Sequence, residues 1–241
     1  MDVSGAILID KPARITSYDV IRELKRLLPV QKIGHTGTLD PLATGLMVVL
    51  TGTATRLAQY FLRLNKVYNF TIKLGEETDT LDSDGTVTKT CDYSGVRRET
   101  LQDAAASFQG TIEQYPPVYS AVKYKGRPLY QYARKGQAVN VRPRTVNVLS
   151  LTMEDFVPPY AVFTAEVSSG TYIRSLAKSI GDVVRCCAHV TSLRRLSVGS
   201  FHVEEAVQLQ DMRQHLERND TQYSFLIDKE TLLKKLNYRS L

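Results

Sequence analysis

GHTGTLDPLATG, residues 34–45, crowds three glycines, four threonine or histidine side chains and one Asp-Pro pair into twelve positions. Taken alone, Asp40-Pro41 reads as a helix start, since Asp is a preferred N-cap and Pro suits the first helical position. A cap needs no glycines, however, and Gly34, Gly37 and Gly45 bring backbone freedom that is costly to order. A carboxylate that must meet a bulky substrate from a rigid loop has a use for them, because glycine lets the substrate approach the main chain. Asp40 is therefore the candidate functional carboxylate, and residues 34–45 are predicted to be a loop between ordered elements.

Working outward, residues 6–9 read as a short buried strand that Lys11-Pro12 ends. Thr16 with Asp19 three residues on resembles a capping box, and Val20, Leu24, Leu27 and Leu28 recur at helical spacing until Pro29. Residues 47–50 have the length of a strand, and 54–64 read as a second helix. From 66 to 74 the chain alternates, with Tyr68, Phe70, Ile72 and Leu74 on one face, which predicts a strand. Residues 97–108 read as a helix, 145–153 and 160–168 as strands, and 171–184 as an amphipathic helix with Ile173, Leu176, Ala177 and Ile180 inward. The irregular interleaving favours an α+β domain over a doubly wound one.

At 241 residues the chain is long enough for a sizeable core. Its opening lacks the basic front of a secretory signal, and no run reaches the ~18 apolar residues a membrane span requires. Three cysteines, an odd number, argue for a reducing compartment and a cytoplasmic address. Cys186-Cys187 with His189 has no second cluster at zinc spacing, so no metal is expected.

The formal charge of +6 is concentrated. Between 115 and 147 stand Lys123, Lys125, Arg127, Arg134, Lys135, Arg142 and Arg144, seven cations with no acid, interleaved with Tyr115, Tyr119, Tyr124, Tyr130 and Tyr132. Phosphates with unpaired bases suit that mixture; a solvated basic face over packed tyrosines is the alternative.

Six stretches in order, DKPARITSYDVIRELKR (10–26), GHTGTLDPLATG (34–45), KVYNFTIKLGEETDTLDSDG (66–85), PPVYSAVKYKGRPLYQYARKG (116–136), SSGTYIRSLAKSIG (168–181) and LRRLSVGSF (193–201), resemble the TruB family of tRNA pseudouridine synthases. Arg14, Ser179, Arg185 and Cys187 depart from it: the family commonly has glycine at the first and last two and aspartate at the second. The resemblance implies the pseudouridine synthase fold, a central mostly antiparallel mixed sheet flanked by helices and loops. It implies a catalytic domain over 1–205 with an RNA-binding insertion at about 115–145, and a short helical tail over 206–241 without a full PUA domain.

It also implies conversion of uridine to pseudouridine in the T-arm loop of tRNA, at position 55, after the base is flipped from its stack. Asp40 is then the catalytic nucleophile, and Arg174 the guanidinium that keeps it ionised in a site closed to water. Tyr68 stacks on the base, Tyr172 and Leu193 line the uracil pocket, and His35 holds the RNA loop. No cofactor or metal is implied, and tRNA is the partner of an enzyme acting as a monomer without protein partners or membrane. An RNA-folding chaperone would share the basic segment but gives no reason for Asp40 and Arg174. A uracil-releasing hydrolase would require a second carboxylate as general acid, which the matched motifs do not supply.

Overall fold

The computed structural model describes residues 3–217 and 224–236. They divide into two units, Met1–Tyr68 with Arg194–Leu241, and Asn69–Leu193. The chain passes from one to the other within two of its strands.

The first unit begins with β1 (Gly5–Lys11), α1 (Ser17–Leu27), β2 (Ile33–His35) and β3 (Thr44–Thr51). The β1 run is apolar without alternation because both of its faces are covered: Ala6, Ile7, Leu8 and Ile9 are all buried. Its Lys11 stays in the ladder, opposite Gly45 of the antiparallel β3. The capping box at α1 is formed, with Thr16 accepting from the Asp19 amide and Asp19 from that of Thr16. Residues 54–64, expected as one helix, divide into a 3₁₀ stretch over Gly52–Leu57 and α2 (Ala58–Arg63). Thr55 folds its hydroxyl back onto the Gly52 carbonyl at 2.8 Å, a local bond that competes with the regular helix ladder.

The second unit takes most of β4 (Lys66–Leu74), then β5 (Glu76–Thr78), β6 (Val87–Thr90), α3 (Arg98–Ala106) and β7 (Gly110–Gln114). A small hairpin of β8 (Lys123–Tyr124) and β9 (Arg127–Pro128) leads into α4 (Leu129–Ala133). Two long antiparallel strands follow, β10 (Arg144–Val157) and β11 (Tyr160–Val167), then α5 (Ile173–Val183) and β12 (Ala188–Val198). Here the strand order is β12-β4-β11-β10-β7. Phe70 and Phe163 stack with ring centroids 5.5 Å apart, as the alternation of β4 requires of its inward face.

The cysteine expectation is corrected in this unit. Cys91 and Cys187 form a disulfide with their Cα atoms 5.8 Å apart, and Cys186 alone is a free, buried thiol. An odd count leaves room for one bridge, so it does not exclude one.

Residues after β12 return to the first unit as β13 (Phe201–His202), β14 (Val207–Gln208), α6 (Leu209–Glu217), β15 (Leu226–Asp228) and α7 (Lys229–Lys235). Its strand order is β14-β1-β3-β12, with β15 also on β1, β2 on β3 and β13 on β12. The tail expected to be helical contains two helices, α6 and α7, and adds the two short strands β14 and β15. β15 pairs antiparallel with residues 5–7 of β1 and β14 parallel with residues 9–10, so the tail closes an edge that would otherwise be open. Residues 218–223 and 237–241 of that tail lie outside the described residues. One core face joins Ala6, Leu8, Leu46 and Val48 to Phe61, Phe201 and Leu232.

Candidate active site

The loop is shorter than the expected 34–45 and runs over 36–43, since 34–35 end β2 and 44–45 begin β3; Asp40 lies in an ordinary hydrogen-bonded turn in place of a helix start. The Ala43 amide donates to the Asp40 carbonyl at 3.1 Å, with Pro41 at the turn position its ring favours. Almost every residue around Asp40 is tied down. The Thr36 amide donates to Val48 O at 3.0 Å and the Arg14 amide to Pro41 O at 2.8 Å. The Leu39 amide donates to Ser17 Oγ at 2.8 Å, and that hydroxyl donates back to Leu39 O at 3.1 Å. Ser17 is the first residue of α1, so the first turn of that helix also fixes the loop.

Two buried cations complete the bracing. Lys11 is wholly buried and donates through Nζ to Pro12 O (2.9 Å), Ile15 O (2.8 Å) and Pro41 O (3.3 Å). Burial first, opposed by the Asp40 charge and aided by that of Arg195, brings its pKa down to about 8. Arg195 donates from Nε to Leu46 O at 2.7 Å and from Nη2 to Gly37 O at 3.2 Å. Both cations flank one residue: Gly45 stands opposite Lys11 of β1 on one side and Arg195 of β12 on the other. Register partners share a sheet face, so the two side chains leave the sheet on either side of a position that has none.

This geometry assigns Gly45 a different reason from the expected one. Its φ is +97°, and a Cβ there would meet the Arg195 carbonyl oxygen at 2.3 Å. The glycine serves the strand beside it. Gly34 would meet nothing and Gly37 only Arg195 Nη1, at 3.4 Å.

His35, at the end of β2, is half-buried, and its Nδ1 has no hydrogen-bond partner among the described residues. Burial first, and the Arg195 charge second, hold the imidazole below its ordinary pKa, so it is neutral at neutral pH. Tyr68 is the half-buried member of a face whose Phe70, Ile72 and Leu74 are closed to solvent.

In the second unit Arg174 and Tyr172 lie at the start of α5. Arg174 is buried, with Nη1 donating to Thr80 O at 2.7 Å, Nη2 to Tyr119 O at 3.0 Å, and Asp82 Oδ2 3.4 Å from Nη1. Asp82 is itself fixed, accepting from Thr80 Oγ1 at 2.6 Å and the Asp84 amide at 3.1 Å. Its loop is pinned to β12 by Val190 N to Leu81 O and Ser83 N to Val190 O. The Gln114 side chain brackets Tyr172, accepting from its amide at 2.7 Å and donating to its carbonyl at 3.0 Å. Leu193 is buried.

A model described as the N-terminal domain of TruB family pseudouridylate synthases matches residues 25–173, and one for the tRNA pseudouridylate synthase B C-terminal domain matches 174–235. The chain belongs to the TruB family. The function of that family is to isomerise uridine to pseudouridine in tRNA. A tRNA pseudouridine synthase B of Syntrophotalea carbinolica is 42% identical over 208 residues, 86% of this chain and 68% of that one. One of Aquifex aeolicus is 45% identical over 212 residues, 87% and 73%. A chain in the crystal structure of a Cbf5-Nop10-Gar1 complex superposes with TM-score 0.76 at 28% identity, covering 98% of this chain and 63% of that one. The expected pseudouridine synthase fold, with its mixed sheet, is thereby established.

Lys11, Asp82 and Arg195 are the residues the sequence reading missed. Lys11 was visible only as the end of a strand, and Asp82 and Arg195 only inside matched stretches. The available signal was a long cation directly abutting an apolar strand, which implies a buried charge that must find partners.

Proposed function

We propose that this chain converts uridine to pseudouridine in the T-arm loop of tRNA, at position 55, with Asp40 as nucleophile. The reaction breaks the bond between the ribose and uracil N1, turns the base and rejoins it through C5. A covalent route through a carboxylate divides that change into smaller steps. What carries the reading is the bracing of the Asp40 loop from Thr36 to Pro41: the backbone under the carboxylate is held by hydrogen bonds at nearly every residue. A nucleophile so fixed gives up little orientational freedom when substrate arrives.

Arg174 is the cation proposed to face that carboxylate during reaction. Tyr68 receives the flipped base, and stacking of about 1–3 kcal/mol offsets the few kcal/mol that extrusion costs. Tyr172 and Leu193 bound the uracil, and a neutral His35 meets the RNA loop. The enzyme is proposed to work without cofactor or metal, as a cytoplasmic monomer needing no protein partner. Catalysis is kept within 1–205, and β14 and β15 serve the edge of β1.

The test is a T-arm stem-loop whose target uridine carries tritium at C5, incubated with the protein. Label passes to water as the new C5 bond forms, and Asp40→Asn abolishes release while retaining stem-loop binding. No release by folded wild type would overturn the proposal, and free uracil among the products would make the protein a hydrolase.

A further inference from the structure

Two arginines adjoin in β12 and part to opposite faces, as neighbours in a strand must. Arg194 pairs with Asp10 through both terminal nitrogens, at 3.0 and 2.8 Å. Arg195 turns inward and is 2% exposed. Its donors go to main-chain carbonyls on the two sides of Asp40: Gly37 O before it and Leu46 O after it. The guanidinium therefore spans the loop at its base. Gly45 makes this possible, since any side chain there would force β3 away from β12.

The location is electrostatically expensive. Arg195 disfavours the protonated forms of Lys11, His35 and Lys66, so it lies in a group of cationic or ionisable bases. Buried like charges cost free energy unless something offsets them. Asp40 is the larger of two offsetting groups at Lys11, ahead of Asp19, and its field there opposes that of Arg195. A neutral side chain would serve strand packing equally well, so packing alone gives no reason for a charge at this position.

We propose that Arg195 is a positioning residue for Asp40: by clasping Gly37 and Leu46 it fixes the loop so that the carboxylate presents one attitude to the substrate. This rests on Asp40 being the nucleophile. Arg195, 2% exposed, offers RNA almost no surface, so its effect falls on the chemical step and not on binding.

The experiment measures single-turnover tritium release and stem-loop affinity for Arg195→Lys, Arg195→Met, Asp40→Asn and a control, Arg194→Lys. Rates are taken per folded site, counted by binding stoichiometry. A displaced nucleophile costs about 10²-fold, so Arg195→Met is expected to lose about that in rate. Arg195→Lys, with its charge kept but only one carbonyl in reach, falls between Arg195→Met and wild type. Affinities in both, and the rate of Arg194→Lys, stay within about threefold of wild type. A purely structural role would lower the folded fraction and leave the rate per folded site unchanged, which overturns the proposal. Loss of folding in both Arg195 variants also overturns it, assigning the residue to the fold. If Asp40→Asn is dead while the Arg195 variants match wild type, only this inference fails; if Asp40→Asn retains full release, the nucleophile assignment fails first.

Discussion

Lys66 begins β4 and spends its ammonium on the end of α2, donating to Phe61 O at 3.3 Å, Leu62 O at 3.0 Å and Leu64 O at 2.6 Å. A cation at a helix C-terminus meets orphan carbonyls there. Burial, and then the Arg195 charge, nonetheless bring its pKa down to about 8. Between that value and the ordinary lysine value the unfolded chain holds a proton that the folded chain has released. Raising the pH through this window therefore favours the folded state. Wild type should gain more in urea midpoint from pH 8 to pH 10 than Lys66→Met does; equal gains would contradict the shift. Three residues that depart from the family's glycines, Arg14, Arg185 and Cys187, carry φ of +67°, +57° and +53°. The backbone thus keeps the left-handed turn that glycine would adopt freely, at about 1–2 kcal/mol each. Arg14→Gly is expected to stabilise by about 1 kcal/mol after glycine's own entropy is charged. Gly45→Ala, with a backbone oxygen 2.3 Å from its new methyl, should destabilise by about 2–3 kcal/mol. Both follow from thermal unfolding.

Elements whose order comes from neighbouring residues were legible in advance. α1 has its cap, its apolar stripe and a proline stop within 14 residues, 16–29, and β4 shows its two faces by simple alternation. β2, β14 and β15 are two or three residues long and exist because β3 and β1 offer edges to pair with. No local pattern could announce them. The site divides the same way: the Asp40 loop and the Arg174 helix start stand out by composition and motif, whereas Lys11 and Arg195 matter only because β1, β3 and β12 bring them to either side of Gly45. The disulfide likewise joins cysteines 96 residues apart, tying the segment after β6 to the turn before β12. Closing a loop of that length removes freedom from the unfolded chain, so Cys91→Ser should cost about 2–4 kcal/mol under oxidising conditions and little after reduction. Alkylation of the denatured, unreduced protein should label Cys186 alone, and reduction should expose all three thiols.

Over the whole chain the formal charge is +6, yet residues 115–147 alone hold seven cations without an acid. Their tyrosines are not equivalent. Tyr124 and Tyr132 meet edge to face at 5.8 Å, with the Tyr132 hydroxyl donating to Tyr124 O at 3.1 Å. Lys125 and Arg134 lie over the Tyr124 and Tyr130 rings at 5.5 and 5.4 Å. Those rings are engaged within the segment and Tyr119 is half-buried, whereas Tyr115, 65% exposed, is the ring most open to solvent. Its carbonyl accepts from Ser175 Oγ at 2.9 Å, a bond that removing the side chain leaves intact. The segment should therefore bind tRNA chiefly through phosphates, with stacking confined to Tyr115. Each phosphate contact steepens the fall of log affinity with log salt by about 0.7–0.9. Replacing Lys123, Lys125 and Arg127 by Gln should flatten the slope by about 2 if all three touch phosphate, weakening binding at low salt most, with the rate at saturation preserved. Tyr115→Ala should instead lower affinity equally at every salt concentration, since stacking releases no counterions. Parallel salt titrations of the two variants separate the contributions, and an unchanged slope in the triple variant would place the phosphate contacts elsewhere on the chain.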